Sequence, residues 1–158
     1  MTDHPITPCL WFNGNAEEAA NLYVTTLGGA IHTISRYGEG APFPAGTALT
    51  VAFELRGRAY QALNGGPLYA LTPAFSLSVL CDTQDEIDRL WTAFLADGGM
   101  ESRCGWLTDR FGLSWQIVPA ILPDLFSSPD RAAAGRAMAA MMTMTKFDIT
   151  ALKAAFED

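Results

Sequence analysis

Apolar residues recur along this chain in two rhythms. Between Thr83 and Leu95, Ile87, Leu90, Trp91, Phe94 and Leu95 fall at i, i+3, i+4, i+7 and i+8, the stripe of an amphipathic helix. Thr83 and Glu86 open it as a capping box, and Gly98-Gly99 follow its end. An earlier stretch, Asn15 to Leu27 followed by Gly28-Gly29, has the same order of parts. At one constant offset Glu18 matches Glu86, Leu22 matches Leu90, Tyr23 matches Trp91 and Leu27 matches Leu95. Asn15 and Glu18 form the corresponding capping box. Around both helices the rhythm shortens towards period two, as in Thr50-Val-Ala-Phe-Glu-Leu55. Strands are expected over Ile6–Phe12, Ala30–Tyr37, Thr47–Leu55 and Ala59–Leu63 around the first helix. Around the second they are expected over Ala74–Cys81, Met100–Cys104, Gly105–Thr108 and Leu113–Val118. The order βαβββ therefore occurs twice.

Punctuation between these elements is as informative as the elements. Gly38 to Gly46, rich in Gly and Pro, reads as a loop placed to cover a cavity mouth. Arg56-Gly57, Asn64-Gly-Gly-Pro67 and Asp109-Arg-Phe-Gly112 read as turns. Beyond Pro119 the duplicated pattern stops. Ser128-Pro129 is expected to start a helix running from Arg131 to Met144, and Asp148 to cap a last one reaching Phe156. Met138, Met141, Met142 and Met144 give this tail an adaptable apolar surface, suited to packing on its own domain or to a dimer contact.

At 158 residues the chain suits one α+β domain. Its first module spans about 5–66, its second about 73–119, and a helical tail 120–158. Hydrophobic residues make up 49% and argue against disorder. The net charge of −7 disfavours nucleic acid as a partner. No apolar run approaches the ~20 residues of a membrane span. The N-terminal Met-Thr-Asp-His-Pro has neither the basic start nor the apolar core of a signal peptide, so a cytoplasmic location is expected. Cys9, Cys81 and Cys104 are odd in number and widely spaced, which builds neither a disulfide framework nor a zinc knuckle.

Three stretches carry a family resemblance: TPCLWFNGNAEEAANLY from Thr7 to Tyr23, QALNGGP from Gln61 to Pro67, and CGWLTDRFGLSWQIVP from Cys104 to Pro119. They resemble PhnB-like proteins, a branch of the glyoxalase, bleomycin-resistance and dioxygenase (vicinal oxygen chelate) superfamily. Some members carry the label demethylubiquinone 3-methyltransferase. The resemblance spans nearly the whole chain, the Ala/Met-rich tail included. It implies two βαβββ modules forming a curled mixed sheet around a cavity. In metal-using relatives, ligands come from inward positions on the first and last strand of each module. Carried onto this chain, the last-strand positions fall on Gln116 and near Gln61. The first-strand positions fall near Pro8 or Cys9, and near Phe75 or Ser76. Amides, Pro and Phe are not the His and carboxylate donors a catalytic metal requires.

The expected site is thus a small-molecule site with no metal and no cofactor. Gln61, Ser114 and Gln116 are its polar candidates by strand alternation, and Trp11, Phe12 and Trp106 its aromatic ones. Trp11, Trp106 and Trp115 read more readily as core than as lining. Glu54 sits either on a solvated sheet face or inward, where it would be the best remaining base or metal ligand. Asn64 is a turn residue within reach of a ligand. Three functions follow. The first is a metal-independent binding protein, expected as a homodimer. The second is a superfamily lyase, isomerase or dioxygenase whose displaced metal site involves Glu54, His32 or a partner subunit. The third is the labelled methyltransferase. For that last activity the lone Gly38-Glu-Gly40 lacks the third glycine and the following helix of a dinucleotide-type loop.

Overall fold

The computed structural model describes residues 6–158. His4 lies outside the described residues. The chain forms two compact units, the first ending at Leu71 and the second running from Thr72 to Asp158.

The first unit contains β1 (Cys9–Phe12), α1 (Ala16–Leu27), β2 (Gly29–Arg36), β3 (Ala48–Leu55) and β4 (Arg58–Asn64). Its four-stranded sheet has the order β1-β4-β3-β2. β1 runs parallel to β4, and the other neighbours are antiparallel. Period-two alternation sorts the side chains by face. Leu10, Phe12, Val51, Phe53, Tyr60 and Ala62 are buried on one face, where Phe53 meets Tyr23 of α1 at 6.4 Å between ring centroids. Gly28 takes a left-handed φ of 80° to end α1. Gly29 then begins β2 so close to the neighbouring strand that a Cβ would lie 1.9 Å from the Glu54 carbonyl oxygen.

The second unit repeats the plan with β5 (Ser76–Cys81), α2 (Gln84–Leu95), β6 (Met100–Glu101), β7 (Trp106–Thr108) and β8 (Ser114–Pro119). The order is β5-β8-β7-β6, with β5 parallel to β8. Ile87, Leu90, Trp91 and Phe94 of α2 are buried as the periodicity requires, each contributing about 1.5–3 kcal/mol by burial. Phe94 stacks on Trp115 of β8 at 4.3 Å, so Trp115 is core.

Several boundaries differ from expectation. β1 begins at Cys9 rather than Ile6, β5 at Ser76 rather than Ala74, and β6 stops at Glu101. The residues after β6 turn instead, with Cys104 at a φ of 55°. In the tail an unforeseen α3 spans Leu122–Ser127, with Pro in its first turn. α4 (Arg131–Thr143) is capped by Asp130, whose carboxylate accepts from the Ala132 and Ala133 amides at 3.0 Å each. The expected cap, Ser128, instead accepts from the Asp130 amide at 3.2 Å. The carboxylate reaches two free N–H groups where the hydroxyl, two residues earlier, reaches none of the helix. Asp148 caps α5 (Ile149–Glu157) as expected.

The tail is tied down within its own unit. The Cys104 and Gly105 amides donate to the Met144 and Thr145 carbonyls, and Phe147 is 2% exposed against Gly105. No helix among the described residues is long and apolar enough to cross a membrane.

Candidate functional site

The face of each sheet turned away from its helix carries most of the candidate residues. In the first unit three rows cross it. Trp11 pairs with Leu63 and Leu63 with Thr50; Cys9 pairs with Gln61 and Gln61 with Ala52; Ala59 pairs with Glu54. Ser35 and Thr50 share a hydroxyl–hydroxyl hydrogen bond at one edge. Glu54 shares this face with Gln61, and its carboxylate lies 3.8 Å from His32 Nε2. The Gln61 carboxamide is half-buried and makes no hydrogen bond among the described residues. Cys9 is exposed, and the little desolvation it meets moves its thiol above, not below, the ordinary pKa.

Trp11 is held firmly. Its indole N–H donates to the Gly66 carbonyl at 2.9 Å, and Tyr69 packs edge-on at 5.1 Å between centroids. Gly65 is the close approach that permits this, because a Cβ there would fall 2.3 Å from the ring. Phe12 is excluded from the group. As the neighbour of Trp11 in the strand it points to the opposite face, where it is 3% exposed in the core.

In the second unit Ser76 pairs with Ser114 and Ser114 with Thr108; Ser78 pairs with Gln116 and Gln116 with Trp106. Trp106, Ser114 and Gln116 thus share one face. The Gln116 amide is engaged, donating to Ser76 Oγ at 2.9 Å, and Ser114 is 2% exposed, 3.5 Å from the Thr108 hydroxyl. The residue directly across from Gln116 is Ser78, and Ser76, two residues along on the same face, accepts from the Gln116 amide. Phe75 lies outside β5 and is 42% exposed. In the first unit three residues separate β1 from α1, in the second two separate β5 from α2, so aligning the helices misplaces the strands by one.

Two buried polar residues proved structural. Asn64 is fully buried, and its carboxamide is spent inside the unit. Oδ1 accepts from the Gly14 and Ala16 amides at 2.8 and 3.0 Å, and Nδ2 donates to the Ala48 carbonyl at 2.8 Å. It caps α1 in place of Asn15, whose side chain makes no cap hydrogen bond, and it offers nothing to a ligand. Asp109 accepts from the Phe111 and Leu113 amides and from Trp115 Nε1 at 2.8, 3.1 and 2.8 Å. That fixes the β7–β8 hairpin, while Arg110 pairs with Asp97 at 2.7 Å. Asx-turn chemistry in the Asp109 to Gly112 stretch was the readable signal; the Asn64 cap, 48 positions from Ala16, left none.

Across the strands, the Gln61 amide stands opposite the Cys9 thiol in one unit and the Gln116 amide opposite the Ser78 hydroxyl in the other. A neutral amide is a weak cation ligand, and these donors do not fit a catalytic divalent ion. His32 and Glu54 supply two donors. Among the described residues no group of three His, Cys, Asp or Glu converges.

The family model described as 3-demethylubiquinone-9 3-methyltransferase matches residues 4–118. The chain belongs to this family. A PhnB protein from Bacillus cereus, titled a 3-demethylubiquinone-9 3-methyltransferase, is similar at 35% identity over 74% of this chain and all of that one, with a TM-score of 0.68. Protein PA1353 from Pseudomonas aeruginosa is 28% identical over 74% of this chain and 98% of its own, with a TM-score of 0.61. The fosfomycin resistance protein FosX from Mesorhizobium loti, at 10% identity and a TM-score of 0.54 over 81% of this chain and all of that one, shares the fold alone. The architecture is that of the glyoxalase superfamily. No curated protein matches the chain. The family model stops at Val118, so the tail expected to share in the PhnB-like resemblance lies beyond it.

Proposed function

We propose that this PhnB-like protein binds a small amphipathic molecule and holds no catalytic metal. The observation that carries the reading is the placement of Gln61 and Gln116. Each stands on the last strand of its unit, across from Cys9 or Ser78, on the face away from the helix. A neutral amide beside apolar and aromatic neighbours is the lining of a binding site, where a few polar groups orient an otherwise apolar ligand. Cys9, Cys81 and Cys104 form no disulfide, which suits a reducing cytoplasm. A homodimer is part of this reading.

The test is a screen of small amphipathic compounds followed by NMR, with the Gln61 and Gln116 side-chain amide signals as reporters. A saturable binder that shifts either signal, and binds about tenfold more weakly to Gln61→Ala or Gln116→Ala, is the expected result. Binders that ignore both variants would contradict it. The family description favours a second reading as a methyltransferase, for which saturable binding of S-adenosylmethionine is the discriminating result. The His32–Glu54 pair favours a third, a metal enzyme with a displaced site, for which a tightly held ion is the discriminating result.

A further inference from the structure

We propose that the ligand of the first unit's open face is a small organic amine in its cationic form, with an apolar or aromatic body. This rests on the small-molecule reading above and adds the charge and orientation of the molecule. The face is graded from end to end. At one end Trp11 and Leu63 form an apolar wall, and the tethers on the indole keep it rigid. In the middle Gln61 presents a carboxamide that makes no hydrogen bond among the described residues. At the other end Glu54 presents a carboxylate whose side chain is 42% exposed.

Leu63 and Ala59, the β4 partners of these two ends, are four residues apart, roughly 13 Å at ~3.3 Å per residue. Gln61 lies between them, diagonal to both Trp11 and Glu54, at the ~7–8 Å spacing that long side chains bridge. A ring or alkyl body laid on Trp11 and Leu63 therefore directs its other end past Gln61 to Glu54. A hydroxyl could also donate to that carboxylate, but an ammonium both donates and carries the opposite charge, which makes the hydrogen bond roughly twice as strong.

The surrounding charges agree. His32 Nε2, 3.8 Å from the Glu54 carboxylate, is the neighbour with which an ammonium would share it; Arg58 belongs by alternation to the helix-facing set of β4, and Arg36 is engaged by Glu17 at 2.8 Å. The whole chain carries a net charge of −7, which draws cations and repels anions before contact. The second unit's face offers no counterpart. Trp106 stands across from Gln116, Thr108 holds the row of Ser76 and Ser114, and Gln116 is bound to Ser76.

The experiment uses three matched probes, 4-phenylbutylammonium, 4-phenylbutanol and 4-phenylbutyrate. Binding is followed on the Trp11 indole N–H and Gln61 amide signals of the full chain. The ammonium probe is expected to shift both and to bind about tenfold more tightly than the alcohol, with the butyrate weaker still. Glu54→Gln, a substitution on an exposed side chain, should bring the ammonium down to the alcohol while leaving the alcohol unchanged. Equal binding of ammonium and alcohol, or no response to Glu54→Gln, would overturn the assignment and leave the small-molecule reading standing. Tighter binding of the butyrate would overturn it outright. No shift with any of the probes would also overturn it, and only the failure of the broader compound screen would then remove the small-molecule reading.

Discussion

The two units share one topology and differ in what holds each together and in what each leaves free. The first is centred on a neutral hub, the Asn64 carboxamide, which caps α1 from across the sheet and grips the start of β3. The second is centred on a charged one, Asp109, which closes a hairpin and anchors the Trp115 indole, while α2 is capped by its own Thr83. On the open faces the order reverses. Among the described residues the Gln61 carboxamide makes no hydrogen bond, and Gln116 is tied to a serine hydroxyl. Duplication preserved strand order and register, which depend on backbone pairing and alternation. Side-chain wiring was free to diverge, because any group with suitable donors and acceptors satisfies the same buried need.

The largest expected effect is on the neutral hub. Asn64→Ala strands the Ala16 N–H and the Ala48 carbonyl in the core, at about 1–3 kcal/mol each, and frees the exposed Gly14 amide to water, so a loss of about 3 kcal/mol in urea unfolding is expected. A loss under about 1 kcal/mol would show that α1 is capped by something else. Next is Asp109→Asn. It keeps the size of the side chain but turns an N–H donor toward either the backbone amides or Trp115 Nε1, for a loss of about 2 kcal/mol by the same measurement.

The helix caps come third and sharpen the contrast. Thr83→Ala removes the bond to the Glu86 amide and should lower stability by about 1 kcal/mol. Asn15→Ala should change it by less than about 0.5 kcal/mol, since its side chain caps nothing. Equal effects would break the distinction between self-capped and cross-capped helices.

The smallest effect is electrostatic. A hydrogen bond from Lys146, then one from Gln84, lowers the Asp88 pKa, and hydrogen bonds from Arg36 lower that of Glu17. A carboxyl whose folded pKa is depressed contributes stability that is whole above its unfolded pKa and is lost as pH falls through the folded one. Acid unfolding of Asp88→Asn should therefore be flatter below the ordinary carboxylate range than that of the parent. Added salt should shrink the difference, because both pairs are exposed.

The sequence made much of this legible for a physical reason. The stripe Ile87, Leu90, Trp91, Phe94 and the alternation in β3 report burial directly, so both helices and the βαβββ order could be read from local spacing. Faces were partly readable: Gln61 with Trp11, and Gln116 with Ser114, follow from i, i+2 spacing and register. Phe12 did not belong with Trp11, because neighbours in a strand cannot share a face. What local pattern does not carry is the length of a connection. At the offset that matches the two helices Cys9 falls on Leu77, and the extra residue between β1 and α1 makes this one short of Ser78, the residue across from Gln116. Nor does it carry a partner brought in from far along the chain, such as Asn64 at the start of α1.

On the proposed reading, Gln61 and Gln116 orient a small molecule and the chain holds no catalytic metal. Elemental analysis of untagged protein, purified without chelator and then incubated with zinc, iron, manganese and nickel salts before exhaustive dialysis, tests it most directly. The account predicts that each ion remains far below one per chain. Near-stoichiometric retention of any of them, lost on Glu54→Gln or His32→Ala, would contradict it and make the first unit's open face a metal site.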